Sequence, residues 1–313
     1  MFPAFAEHID AKAIFVKAPT AVIFLCGGAV SATQRGRPKS LRDAFLKIED
    51  NPATQGRTLM LAEKVNAFYL ARPAYPDLLR FETDFAQICE LILLFSESQG
   101  SIAELGAFSM VPEIASRSMI VVRSAHANDQ SFIRLGPLLH LRNEHGPEAV
   151  FVIDDDDVGI VKGRVGHVDL AVLRDRLRPA IDQRMRAVGE RKTFDPTRAG
   201  HFIKLVVGLI QEYGALCIPE LRGMLGQLGH VKADDEIDRW LLCAEAVGWI
   251  AREQRGFEFY FFARPVSDAL NVKWKGDPGL KDRARRKAAI REYWKATDEQ
   301  RYRGIVKFAE GGA

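Results

Sequence analysis

The stretch "LLFSESQGSIAELGAF", residues 93–108, decides how the rest of the chain is read. An apolar run stops at a polar, glycine-bearing turn, and a helical pattern follows with Glu104 in its first turn. Glu104 is then either a catalytic carboxylate at the end of a strand or a residue that caps a helix. Ser101 and Glu104 match the S-x-x-E capping box, and a cap of this kind contributes about 1 kcal/mol. Three features favour chemistry. The turn follows a buried strand, Gly100 permits close backbone approach, and Gly106 costs its helix about 1 kcal/mol against Ala and so requires a packing reason. Glu97 adds a second carboxylate within reach.

Outward from this stretch, four apolar runs read as strands covered on both faces: 20–28, 91–98, 118–124 and 149–157. Helical patterns at 38–49, 56–71, 77–90 and 101–117 lie between them. The alternation predicts an α/β fold with a doubly wound parallel sheet. Right-handed crossovers place the strand C-termini on one edge, where ligands bind. A further helical pattern spans 160–185. Polar residues 188–200 read as a linker. Beyond it, helical patterns at 201–216, 219–228 and 233–250 precede two strands around Arg255–Gly256, the order of a winged helix-turn-helix. The expected divisions are 1–187, the linker 188–200, a winged-helix-like domain 201–265 and a basic tail 266–313.

With 313 residues, the chain is long enough for about two domains. No apolar run reaches the ~18–20 residues that cross a membrane, and the first residues do not read as a signal peptide. The four cysteines form no CxxC pair and the histidines show no HExxH spacing, so neither a metal site nor a disulfide framework is expected. A reduced, cytoplasmic protein is the expectation. The net charge is only +3, yet Lys273–Lys307 holds twelve Lys or Arg against five Asp or Glu, a local excess of +7. Such asymmetry suits a polyanionic partner, with Arg285, Arg286, Lys287 and Arg291 as candidate contacts. The alternative is a solvated helical tail.

Three further places could serve a ligand. "FLCGG" ends a strand at Cys26, Gly27 and Gly28, where a phosphate or ribose can approach a backbone without Cβ atoms. Downstream, Arg35, Arg37 and Lys39 could meet a phosphate. The segment is not a Walker motif, and the chain has no GxGxxG, so no cofactor is expected. The acids 154–157 read as a strand end, with Asp154 the member nearest the strand. The aromatics Trp274, Tyr293, Trp294 and Tyr302 suit base stacking or core packing, the latter being the reading for Trp294.

A strand followed by Gly100-Ser101-Ile102-Ala103-Glu104-Leu105-Gly106 resembles the nucleoside 2-deoxyribosyltransferase signature G-[ST]-x-x-E-x-G over residues 15–160. Joined to "FLCGG" and a winged-helix-like region, it looks like the retron-associated effectors. The resemblance implies that Glu104 is catalytic, with Cys26, Gly27, Gly28, Arg35, Glu97, Gly100, Ser101 and Asp154 around the substrate. Ser96, Glu97 and Ser98 stand where the exchange enzymes usually carry Asp, which favours N-glycoside hydrolysis over base exchange. The resemblance further implies an antiphage toxin acting on NAD or a related nucleotide. Its partners would be a reverse transcriptase and its RNA–DNA hybrid, msDNA, in a homo-oligomer or higher assembly. The alternatives are a nucleotide-sensing regulator without catalysis and a salvage deoxyribosyltransferase.

Overall fold

A computed structural model describes residues 5–17, 21–127, 130–186 and 191–309. Thr20 of the first expected strand, residues 188–190 of the expected linker and the last four residues of the tail lie outside them. In chain order the strands are β1 (Ile9–Lys17), β2 (Val22–Cys26), β3 (Thr58–Leu61), β4 (Leu91–Phe95), β5 (Ser118–Arg123), β6 (Val150–Ile153), β7 (Arg191–Thr193), β8 (Ala215–Leu216), β9 (Ile250–Arg255), β10 (Glu258–Ala263) and β11 (Leu270–Trp274). The α-helices are α1 (Leu41–Leu46), α2 (Ala62–Ala71), α3 (Leu78–Ala86), α4 (Gln99–Ser109), α5 (Pro112–Ala115), α6 (Ser124–Ala127), α7 (Leu139–His145), α8 (Leu170–Met185), α9 (Ala199–Tyr213), α10 (Ile218–Gln227), α11 (Asp234–Ala246), α12 (Arg283–Thr297) and α13 (Glu299–Ala309). These elements form two compact units. One holds the described residues of Thr20–Val65 and Cys89–Gly189, the other those of Met1–Pro19, Asn66–Ile88 and Glu190–Ala313.

The first unit is built on a five-stranded sheet of order β3-β2-β4-β5-β6, parallel throughout. Every residue of β2 and β4 is buried, as continuous apolar runs in a sheet covered on both faces require. Ile23, Leu25, Leu91, Leu93, Phe95, Met119 and Val121 meet Leu41, Ala44 and Phe45 of α1 and Leu173, Leu177 and Ile181 of α8 in one core. Side chains of this kind contribute about 1.5–3 kcal/mol each when buried. The four expected strands are all present. Residues 56–71, expected as one helix, are instead β3 followed directly by α2. Four residues of a short apolar run do not distinguish strand from helix by periodicity. The helix expected from 160 begins only at Leu170, where Asp169 accepts hydrogen bonds from the backbone N–H groups of Ala171 (2.9 Å) and Val172 (3.1 Å).

The second unit is organised around α9, which is buried along most of its length. A helix apolar on nearly all sides is a core element. Its few buried polar groups are satisfied locally. Gln211 donates to Ser267 O (3.0 Å) and accepts from Ala269 N (2.9 Å), and His201 Nδ1 accepts from Asp195 N (2.9 Å). Two antiparallel sheets, β11-β1-β7 and β8-β10-β9, belong to this unit. Hence residues 5–17 and 66–88, counted from sequence with the first 187 residues, pack here. β1 lies between β7 and β11, and α3 packs against α9 and α11. The basic tail is likewise structured as β11, α12 and α13, and Trp294 is buried with its indole N–H on Tyr213 O (3.0 Å).

Gly27 shows how tightly the end of β2 is set. Its φ is +149°, and a Cβ there would lie 2.9 Å from the Phe95 Cβ and 3.1 Å from the Arg42 Cβ. Gly27→Ala should therefore lower stability by about 1–3 kcal/mol, read from thermal and urea unfolding. An unchanged midpoint would show that this turn can relax.

Candidate functional site

The strand order reverses between β2 and β4, because β3 lies on one side of β2 and β4 on the other. Ligands of open α/β sheets bind at the carboxyl ends of strands at such a switch point. Cys26-Gly27-Gly28 leaves β2 there, and Ser96-Glu97-Ser98 leaves β4 beside it.

Glu97 is bound to backbone. Its Oε1 accepts from Gly28 N (3.2 Å) and Arg42 N (3.0 Å), and its Oε2 accepts from Leu41 N (2.6 Å). The carboxylate thus satisfies the first amides of α1, where negative charge is favoured. Gly28 has no room for a side chain, since a Cβ would lie 2.8 Å from the Ser40 Cβ and 3.0 Å from the Glu97 carboxyl carbon. The twin glycines thus serve the packing of the turn itself.

Arg42 completes the knot. It is buried, donates from Nε to Gly28 O (2.7 Å) and forms a two-pronged ion pair with Glu63 at the start of α2. Burial is the largest influence on the Glu63 pKa and raises it, but the Arg42 hydrogen bonds, a backbone hydrogen bond and the Arg42 charge together bring the net shift downward. Sequence reading misses both residues. An arginine and a glutamate in helical patterns look like ordinary solvated charges, and nothing local indicates that they meet across 21 positions.

Helix α4 starts at Gln99, three residues earlier than the Ser101–Glu104 box requires. The box that forms is Ser98 with Ser101. Ser101 N donates to Ser98 Oγ (3.2 Å), and Ser98 N donates to Ser101 Oγ (2.8 Å), which also receives Glu97 N (3.0 Å). Glu104 therefore lies in the second turn and caps nothing. It is half-buried, and its Oε2 is buried with no hydrogen-bond partner. Burial pushes its carboxyl pKa up; Arg42 opposes that shift and Glu63 adds to it. Gly106 has no packing reason, since a Cβ there, as at Gly100, would meet nothing within 4 Å.

The remaining expected residues divide. Cys26 is buried in the sheet, and Arg35 is exposed on the loop after β2. Asp154 is exposed, and its Oδ1 accepts from Asp156 N (3.1 Å) in a turn. Asp155 pairs with Arg123, and Asp157 with Arg176 (2.9 Å). The acidic run is thus largely taken up by turn and ion-pair contacts. Among the described residues, no group of three His, Cys, Asp or Glu could hold a metal ion. In the second unit, Arg285 and Arg291 are exposed, but Arg286 is buried, paired with Glu212 (2.9 Å) and stacked on Trp274 at 4.5 Å. Lys287 is half-buried, and burial lowers its pKa. Two of the four expected contacts therefore face outward.

Helix α11 is also committed. Arg72 donates to Glu245 (2.8 Å) and to Asp238 O (2.9 Å), and Tyr75 reaches Arg239 O (3.3 Å). Its first turn carries Asp234, Asp235 and Glu236. No helix of the described residues is long and apolar enough to cross a membrane.

Two measurements test this geometry. Glu97→Ala removes the acceptor of three backbone N–H groups and should cost about 2–4 kcal/mol in urea unfolding; a loss below about 0.5 kcal/mol would make the contact incidental. For Glu104, a folded pKa above the unfolded one means that stability falls as pH rises from the unfolded value through the folded one, and stays lower above it. Glu104→Gln should therefore melt higher than the unsubstituted chain at pH 7, with the two converging below the ordinary carboxylate pKa of about 4. Equal melting temperatures at pH 7 would contradict the burial.

Residues 38–252 match the model of the STM3845 retron effector protein family. The "Retron Ec86 putative ribosyltransferase/DNA-binding protein" of Escherichia coli is 31% identical over 136 residues, which are 43% of this chain and 42% of that protein. The "Retron Ec73 putative ribosyltransferase/DNA-binding protein", also of Escherichia coli, is 26% identical over 117 residues, 37% of this chain and 36% of that protein. The matched segments span about two fifths of these relatives. The family match covers more than half of the chain, which carries the Gly27–Gly28 turn and the Glu104 helix on a parallel sheet: the chain belongs to the STM3845 retron effector protein family.

Proposed function

We propose that this effector is an antiphage toxin whose parallel-sheet unit hydrolyses an N-glycosidic bond of NAD or a related nucleotide, with Glu104 as the catalytic carboxylate. The observation that carries this reading is the buried, unpartnered Oε2 of Glu104 on the helix that follows β4. An acceptor kept free in a site of low polarity is available to a developing positive charge. Cleavage leaves an oxocarbenium-like sugar, which a carboxylate stabilises or traps before water adds its hydroxide to C1′ and releases a proton. Nicotinamide leaves NAD as a neutral molecule, so this bond needs no general acid. Arg42 counters the protonation of Glu104 that burial favours. The ribosyltransferase description of the relatives agrees with chemistry at a sugar carbon.

The second unit supplies control in this proposal. The succession α9, β8, α10, α11, β9, β10, with β8 pairing β10, is the winged-helix order. The relatives' DNA-binding description suits it. Acids and the clamp from Arg72 make α11 a poor groove reader, so Arg285 and Arg291 of α12 are the better phosphate contacts. A retron reverse transcriptase and its msDNA would hold the toxin in a larger assembly.

Glu104→Gln should lower NAD hydrolysis on the order of 10³-fold or more while the protein still folds, as judged by circular dichroism and melting. Full activity in the Glu104→Gln protein would remove Glu104 from the chemistry.

A further inference from the structure

The loop 27–40 leaves β2 and the loop 154–169 leaves β6, strands separated in the sheet by β4 and β5. The two loops nevertheless meet. A Cβ placed on Gly166 would lie 3.5 Å from the Arg37 Cβ and 3.7 Å from Pro38 O. A Cβ on Gly163 would lie 3.7 Å from the guanidinium of Arg123, at the end of β5. Together they form a bridge over the edge where Glu97 and Arg123 emerge.

The first loop is anchored from below. Buried Asp43 accepts from Ser31 N (3.2 Å), Ser31 Oγ (2.9 Å) and Lys39 N (2.9 Å). Buried Lys47 donates to Thr33 O (2.6 Å) and Gln34 O (3.1 Å). Val158 and Ile160 root the second loop in the core. The bridge exposes Arg35, Arg37, Lys39, Lys162 and Arg164, none with an ion-pair partner among the described residues. Of the acids on the second loop, Asp155 and Asp157 are paired, while Asp154, Asp156 and Asp169, which caps α8, have no cation partner among the described residues. Five unpaired cations against three unpaired acids, on anchored loops, attract an anion that brings several oxygens at once.

We propose that this bridge is a phosphate clamp, with Arg37 and Arg164 at its centre, and that it selects phosphorylated nucleotides over free nucleosides. The inference rests on the reading of Glu104 as the hydrolytic residue, but its binding test does not. Calorimetry with inorganic pyrophosphate on the full chain should show binding that weakens with salt. The doubly substituted Arg37→Ala, Arg164→Ala protein should bind it at least about tenfold more weakly, while Arg174→Ala, outside the two loops and paired with Asp175, should bind as before. Failure of the unsubstituted chain to bind pyrophosphate, or equal binding by the double variant, overturns the clamp. In hydrolysis, the double variant should lose kcat/KM for NAD through a raised KM and keep its rate on nicotinamide riboside. Equal losses on both would mean the loops serve the fold and not the phosphate. Pyrophosphate binding lost in the variant, with no hydrolysis by the unsubstituted chain, would uphold the clamp and overturn the hydrolytic reading.

Discussion

The contacts of Glu97 with the backbone at Gly28, Leu41 and Arg42 are the constraint on which the parallel-sheet unit depends. One carboxylate closes the end of β2, begins α1 and fixes the exit of β4. Arg42 extends the knot to Glu63, so three crossovers are tied at their first residues. The carboxylate at this node is fully engaged by amides. Glu104, in the second turn of the helix that follows, is left with an oxygen that has no partner. The unit thus places a fully hydrogen-bonded acid and one with an unpartnered oxygen within eight residues of each other.

Much of this unit is legible in the sequence because its strands are buried on both faces. Runs such as Leu91–Phe95 need no partner to be recognised. The edge strand Thr58–Leu61 escapes, since its four residues merge with the helix that follows. The site is legible as a place, a glycine turn and a glutamate after a strand, but not as a geometry. Ser98 and Ser101 each satisfy the capping requirement of the other, and no spacing rule chooses between this box and Ser101–Glu104. Arg42 and Glu63 are invisible because their meaning lies in a tertiary contact.

In the second unit, the three helices and the hairpin follow from local patterns, while the strand Ile9–Lys17 does not. Its alternation over Ile9–Ala13 breaks at the apolar run Ile14-Phe15-Val16, its register shifts between Ile9 and Ile14, and its partners β7 and β11 are far away in sequence. Charge density is a poor guide to surface here. Arg286 and Arg301 are almost fully buried, stacked on Trp274 and Trp294 and neutralised by Glu212, Glu220 and Asp298. Arginine suits this because its planar head can stack and make forked ion pairs together.

The excursion of residues 66–88 has a topological meaning. The chain passes from one compact unit to the other after positions 19, 65, 88 and 189. A single cut in any connecting segment leaves the units joined through the others. Neither half can be released as a free fragment by one proteolytic event, and neither can be inherited alone by a simple fusion of genes. A unit braided in this way to its companion travels with it, and its separation requires unfolding or several cuts.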